Sequence, residues 1–376
     1  MLTHKINPKF TRSIAEMFKK DIVFTISLIL AVTSCFMYAP KLQYIDFKVL
    51  ASLFNLMIVV KAFEELKLLD MFAISILNKC QNSRRVSLVL IMLCFFCSML
   101  ITNDVALLTF VPLTLIIGKK SNTPMAETVI FQTLAANIGS SLTPMGNPQN
   151  LFIFSHYGLT ASQFFTTVIL FAASGGIWLY LLNRRVKSIN LDVTLKPVKI
   201  EEKLKAILWI SLFFIITASI LGVIHYRIAL LLTLLTALLL DKRLLAKIDY
   251  LLLATFICFF IFIGNVSNIA AVSTYMSEHL KGTYSLYFGS ILLSQFISNV
   301  PSAILLSKFT TAWKPLLLGV NIGGMGTIIA SLASVISYKL FVRDNPNESK
   351  NYMIKFSIYN ILGLIVFTLI NLIILK

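Results

Sequence analysis

Two short polar runs in an otherwise apolar chain carry side chains able to hold an ion or a small solute. The first is Thr102-Asn103-Asp104 and the second is Ser298-Asn299-Val300-Pro301. Each is followed by another polar run, Asn137-Ile138-Gly139-Ser140 after the first and Asn321-Ile322-Gly323-Gly324 after the second. Hydroxyl, amide and backbone oxygens are the donors that hard cations favour. A polar run that interrupts a helix also exposes N–H groups at the start of one half and C=O groups at the end of the other. The N–H end suits an anion and the C=O end a small cation. No Lys or Arg falls within the four runs. An anionic solute would therefore be held by helix ends, amides and a co-bound cation.

Asp104 is the carboxylate of the first run. Ionisable residues in apolar segments are costly and usually functional. Three roles are open to it: cation ligand, proton carrier, or cap of a helix beginning at Val105. Thr143-Pro144-Met145-Gly146-Asn147-Pro148-Gln149-Asn150 is a strong breaker run. Its apolar flanks, 131–136 and 151–154, are each too short to cross a bilayer, so it reads as a buried break inside one helix. Cys94 and Cys97 form a C-x-x-C but lack a second ligand pair. They read as small apolar helix residues. No paired His/Glu metal motif and no Ser/His constellation is present, so neither an enzyme nor a bound cofactor is expected.

The elements that must position these runs are membrane helices. The chain is 57% hydrophobic and 13% charged, with mean hydropathy +0.85. A soluble domain carries about twice that charged fraction. Apolar runs long enough for a hydrocarbon core of about 30 Å recur throughout. Ordinary spans are expected near 22–39, 46–63, 162–183, 206–223, 227–240, 248–264 and 353–375. The first reads as a span and not a removed signal peptide, since no small-residue cleavage site follows it. Segment 70–80 is too short to span and is expected along the cytoplasmic interface. The net charge of +17 gathers in short segments, among them Lys5, Lys9, Arg12, Lys19 and Lys20, then Arg84, Arg85, Lys119 and Lys120, then Arg184 and Arg185. Stretches between them carry almost none. That alternation is the positive-inside pattern and puts the N-terminus in the cytoplasm of a cell (inner or plasma) membrane. Attraction to lipid headgroups accounts for the charge without nucleic acid as a partner.

Residues 86–117 have basic flanks at both ends, which belong on one side of the membrane. Arms of about 13 to 16 residues rise only roughly 20–24 Å, too little for two crossings. A re-entrant hairpin with Thr102-Asn103-Asp104 at its tip satisfies both constraints. Residues 284–311 repeat the design with Ser298-Asn299 at the tip and the mouth on the opposite side. Broken helices 126–156 and 314–340 follow the two hairpins. The expected fold is an all-α polytopic membrane protein with about nine crossings, two re-entrant hairpins and two broken helices. It divides into inverted repeats, 1–183 and 206–376, joined by a cytoplasmic connector, 184–205. Such repeats with broken helices at the site mark secondary transporters, and suit alternating access better than a permanent pore.

With the hairpins and breaks in place, the chain resembles the ion transporter superfamily of divalent anion:sodium symporters, citrate transporters, arsenite permeases and certain sodium/proton antiporters. Its four polar runs, with Gly146-Asn147-Pro148-Gln149-Asn150 and Met325-Gly326-Thr327, carry that resemblance over nearly the whole chain. The resemblance implies a homodimer in which a transport domain slides past a scaffold in elevator fashion. In the carboxylate symporters a Ser-Asn-Thr motif at each tip binds sodium and substrate. Carried over by position, Thr102, Asn103, Asn137 and Gly139 form one sodium site, and Ser298, Asn299, Asn321 and Gly324 the other. The substrate lies between the tips, with Thr143, Asn147 and Thr327 in the same breaks. Asp104 and Val300 stand where that motif has Thr, and Gln149 where a Pro is usual. An Asn-Asp pair at the first tip looks more like the permease and antiporter branches. The expected function is transport of a small anion, such as citrate or a dicarboxylate, coupled to Na+ or H+. The alternatives are a Na+/H+ antiporter and a permease for arsenite or another inorganic anion.

Overall fold

The computed structural model describes residues 22–191 and 194–376. The basic residues Lys5, Lys9, Arg12, Lys19 and Lys20, and with them the N-terminal side, lie outside the described residues. Within those described, the regular structure is helical apart from one isolated bridge between Asn82 and Asn190. Helix α1 (Ile22–Cys35) is followed by α2 (Phe47–Glu65) and the short α3 (Leu68–Leu77). The first hairpin is α4 (Ser83–Ile101) and α5 (Asn103–Ser121). The first broken helix is α6 (Ala126–Ser140) and α7 (Pro148–His156), and α8 (Ala161–Asn183) completes this half. After the connector come α9 (Lys203–Ile220), α10 (Tyr226–Leu240), the one-turn α11 (Leu244–Lys247), α12 (Tyr250–Val266) and α13 (Ala270–His279). The second hairpin is α14 (Thr283–Ile297) and α15 (Asn299–Ser307). The second broken helix is α16 (Trp313–Ile322) and α17 (Leu332–Asp344), and α18 (Ser349–Asn371) follows.

Local chemistry sets the helix starts. Asp46, Asn82, Asn147 and Asp249 each accept a hydrogen bond from a backbone N–H of the first turn of α2, α4, α7 and α12. Thr160 and Gln163 form a reciprocal capping box at α8. Each such cap satisfies a donor that the helix itself leaves unpaired. Pro148 occupies the first position of α7, where a missing N–H costs nothing.

Among the described residues, four helical segments are long and apolar enough to cross a membrane: Ser83–Ile101, Ala161–Asn183, Lys203–Ile220 and Pro346–Asn371. Helices α12 and α13 together make a fifth, bent by 94°. The remaining expected spans form as helices but are shorter, charged or broken. Helices α1 and α10, with 14 and 15 residues, rise only about 21–23 Å. Helix α2 carries Lys48, Lys61, Glu64 and Glu65.

The first hairpin corrects the expected bounds of 86–117. Its arms have 19 residues each, about 29 Å of rise, because the helices run on through the basic flanks. The length argument for re-entry therefore does not hold for this hairpin. The reversal of the chain does hold. Val86 and Ile117 line one small cleft with Leu77 and Leu195, and Cys94 and Thr114 both reach Gln132 of α6. The second hairpin has arms of 15 and 9 residues, as short as re-entry requires.

Two large apolar cores hold most of the helices, and both mix residues from early and late in the chain, while a small third joins Phe24 and Ala31 of α1 to Cys258 of α12. One large core gathers α4, α5 and α6 with α17 and α18; the other gathers α2, α7 and α9 with α12, α15 and α16. Helix α5 packs on α17, and α15 packs on α7. The second arm of each hairpin thus lies on the second half of the other broken helix. The connector straps across the base of the first hairpin. Ser83 N–H donates to Ile189 O at 2.9 Å, Leu191 N–H donates to Gln81 O at 2.9 Å, and Asn78 pairs with the backbone of Leu195.

Candidate functional site

Both hairpins reverse at a single residue in the same rare conformation: Thr102 with φ 78°, ψ 151° and Ser298 with φ 73°, ψ 157°. Side-chain-bearing residues hold such a conformation at a cost of about 1–3 kcal/mol, and it persists where the surroundings dictate it. The reversal makes Asn103 and Asn299 the first residues of α5 and α15, with both side chains buried.

From the first tip, Asn103 N–H donates to Gly146 O in the break after α6 at 3.1 Å. Its side-chain Nδ2 donates to Asn137 Oδ1 at 3.2 Å. Asn137 Oδ1 also accepts from Ser331 Oγ at 3.0 Å, and its Nδ2 donates to Gly324 O and Ser334 Oγ, both at 3.4 Å. A second set crosses between the breaks. Asn147 Nδ2 donates to Asn321 Oδ1 at 3.2 Å, and Asn321 Nδ2 donates to Asn150 Oδ1 at 2.7 Å. Asn150 Nδ2 in turn serves the carbonyls of Ser140, Ser141 and Thr143, each at 3.2 Å. Residues distant in sequence are thereby joined into one buried amide network.

Asp104 does not cap its helix. Helix α5 starts two residues earlier than expected, and the N–H of Asp104 is taken by Asn103 Oδ1 at 3.0 Å. Its carboxylate is half-buried and has no ion-pair or hydrogen-bond partner among the described residues. It faces a cavity of about 300 Å³ lined also by Asn103, Gln149, Ser298, Asn299 and Ser331. Both tips therefore border one space. Asp104 is the cavity's one ionisable side chain among the described residues.

Other expected site residues fall elsewhere. Gly139 serves close packing: a Cβ there would run into the Phe95 carbonyl and come within 2.7 Å of Ser98 Oγ. Gly323 lies against α14 in the same way, with Ser294 2.8 Å from an added Cβ. Ser98 and Ser294 each stand four residues before a tip, so the two Asn-Ile-Gly glycines do one job twice. Gly324 sits beside Asn299 Nδ2, 2.9 Å from an added Cβ. Thr143 Oγ1 donates to Met99 O, tying the break to the first arm. Thr327 is exposed and bonded to Gln295, outside the amide network.

Asn150, Ser331 and Gln295 are the residues that sequence reasoning passed over. Gln295 Nε2 donates to Gly323 O and Met325 O at 2.8 and 3.0 Å, closing the second break. Its signal was available: an isolated amide in an apolar arm, three residues before the tip. Among the described residues no group of three His, Cys, Asp or Glu side chains is placed to hold a metal ion.

Comparison with known proteins gives matches over most of the chain. The model of the citrate transporter family matches residues 13–315. An uncharacterized transporter of Methanocaldococcus jannaschii is 38% identical over 302 residues, 79% of this chain and 81% of that protein. Inner membrane protein YbiR of Escherichia coli is 30% identical over 308 residues, 81% of this chain and 82% of that protein. The P protein of Homo sapiens is 32% identical over 120 residues, which cover 31% of this chain and 14% of the P protein.

Proposed function

This chain belongs to the citrate transporter family, and from that premise we propose that it is a secondary transporter coupling a small anion to Na+ or H+. It is a multi-pass membrane protein. The observation that carries the proposal is that both hairpin tips, through Asn103, Asp104, Ser298 and Asn299, line one cavity together with Gln149 and Ser331 beside the two breaks, while Asn103–Asn137 ties the first tip to the first break and Asn147–Asn321 ties the breaks to each other. Non-helical backbone at membrane depth is tolerated where it lines protein or a water-filled space. An unpartnered carboxylate there calls for a cation or a proton. Thr102, Asn103, Asp104 and Asn137 make the coupling-ion pole, and Ser298 and Asn299 the solute pole.

The exchanged packing of the two hairpins on each other's broken helices supports an inverted duplication. On this reading the hairpins and breaks form one body that moves past α1, α2 and α12 in elevator fashion, within a homodimer of about nine-crossing protomers in the cell membrane, N-terminus in the cytoplasm.

The experiment is uptake of labelled anions, beginning with citrate and succinate, into proteoliposomes with and without an inward Na+ or H+ gradient. Gradient-driven uptake that is lost in Asn299→Ala is the expected result. A second reading, a Na+/H+ antiporter, is favoured by one observation: among the described residues the cavity offers a carboxylate and no cationic side chain. In that case Na+ drives proton release without anion uptake, and Asp104→Asn abolishes the exchange.

A further inference from the structure

The cavity has two unlike sides. Its polar lining, including Asp104, Gln149, Ser298 and Asn299, comes from the tips and breaks. Facing it, α1 contributes Val23, Ile26 and Leu30, and α12 contributes Leu252, Phe256 and Phe259. Phe256 and Phe259 form the inner wall, 1% and 9% exposed. At the rim the lining side chains turn outward: Ile26 is 53% exposed, Ile329 57% and Phe296 71%. In a multi-pass membrane protein, an opening framed by large exposed apolar side chains faces hydrocarbon and not water.

The rim continues into an apolar stripe on the outside of the second hairpin. Tyr284, Phe288, Leu292 and Phe296 recur every fourth residue along α14 and are all exposed, so they lie along one side of the helix and end at the cavity. Lys281, exposed and in no ion pair among the described residues, stands just before the helix starts. The 15 residues of α14 rise about 22 Å, enough to run from headgroup level to the centre of a hydrocarbon core of about 30 Å. Across the opening, α1 is tied to α12 by Asn265 Nδ2, which donates to Ser34 Oγ at 3.1 Å.

We infer that a phospholipid acyl chain enters this cavity sideways from the bilayer, between α1 and α14, and rests against Phe256 and Phe259. The headgroup phosphate lies near Lys281, and the tail follows the α14 stripe to Phe296. A space of about 300 Å³ is too large to stay void in a close-packed protein, and water at its apolar rim finds no polar group to bond. It holds roughly ten methylene-sized groups at ~30 Å³ each, the share of a water in the liquid. Lipid tails are as apolar as the wall, so dispersion contacts and not water exclusion drive the fit. The lipid site needs only a protein embedded in a bilayer. Its consequence deepens the transporter reading above and rests on it: the tail must withdraw before a solute fills the cavity, so lipid and solute compete.

The test is photolabelling of the full-length protein in proteoliposomes of phosphatidylcholine that carries a diazirine near the end of one acyl chain, with the labelled residues located by mass spectrometry of peptides. Label on Leu252, Phe256 or Phe259, alongside label on the outward Leu292, is the expected result. Ile26→Trp narrows the mouth and should lower labelling of the α12 wall by about ten-fold while Leu292 is labelled as before. The wild-type pattern needs no variant, so a misfolded mutant leaves the inference open to refutation. Label confined to outward residues such as Ile29, Val32 and Leu292 overturns it. Label missing from Ile26 and Phe296 as well shows the mouth covered by another segment or a second copy, and also overturns it. Uptake of citrate and succinate by the same proteoliposomes separates the two readings. Uptake without wall labelling overturns the lipid site and leaves the transporter reading intact. Wall labelling without uptake upholds the lipid site and counts against the transporter reading. Where both occur, photolysis before the assay should lower uptake in proportion to the fraction of protein labelled at the wall.

Discussion

Thr102 and Ser298 occupy a backbone region that glycine enters freely. Replacing either by Gly relieves about 1–3 kcal/mol of strain and adds roughly 0.5–1 kcal/mol of unfolded-chain entropy. Thr102→Gly and Ser298→Gly should therefore stabilise the fold by a net of about 1 kcal/mol, read as a higher melting temperature in detergent, while lowering transport, because the tip no longer enforces one geometry. A fall in melting temperature would show that the side chains, and not the backbone, set the reversal. Asn150→Ala should act oppositely. It strips a donor from three break carbonyls and an acceptor from Asn321, a loss of about 2–4 kcal/mol readable by thermal unfolding. Thr327→Ala, at an exposed position, should stay within about 0.5 kcal/mol. These contrasts also mark what was legible at this scale. Residue type located Asn103, Asn137, Asn147 and Asn321, since an amide in an apolar run needs a partner. Of the roles open to Asp104, the cap is not realised, because the one-residue turn at Thr102 starts the helix two positions before Val105.

Among the elements, the close approach of α6 to α4 through Gly139 is repeated by α16 and α14 through Gly323. Gly139→Ala would wedge α6 away from the Phe95 carbonyl and should cost about 3 kcal/mol or more, seen as loss of monodisperse protein on size exclusion. Gly323→Ala brings its Cβ to 2.8 Å from the Gly319 carbonyl and from Ser294 Cβ, a lesser overlap than at Gly139, and should be milder. The outer ends of α5 and α17 are joined by Lys119 and Asp344 at 3.0 Å. The Lys119 hydrogen bond holds the Asp344 carboxyl below its usual range. A carboxyl depressed in the folded state adds stability above its unfolded value, about pH 4, and that increment is lost as pH falls through the folded value. For so open a pair it is at most a few tenths of a kcal/mol, so Asp344→Asn should leave the melting temperature nearly unchanged at every pH. Breaks and tips were legible as elements because Pro, Gly and Asn punctuate apolar helix strongly. The hairpin ends were not, since Arg84, Arg85, Lys119 and Lys120 are good helix formers and prolong the arms. The 94° bend between α12 and α13 gives no comparable signal, as the residues around it remain largely apolar.

On the scale of the molecule, the sequence halves are not separate bodies. Asn137 finds its partners at Gly324, Ser331 and Ser334, and Asn147 finds Asn321. Expressed alone, neither 1–183 nor 206–376 should yield a stable protein, whereas co-expression of the two should recover a complex that co-purifies and unfolds in one transition. This interlock is beyond periodicity or composition, because both describe only neighbours along the chain. Asn137 Oδ1 can meet Asn103 early, but its other partners lie 187 to 197 residues downstream. During synthesis, the Nδ2 group of Asn137 must therefore wait for both of its acceptors until the final third of the chain has been inserted. The buried amide network is complete only then, so a prematurely terminated product leaves the Asn137 N–H groups without these acceptors in an apolar setting.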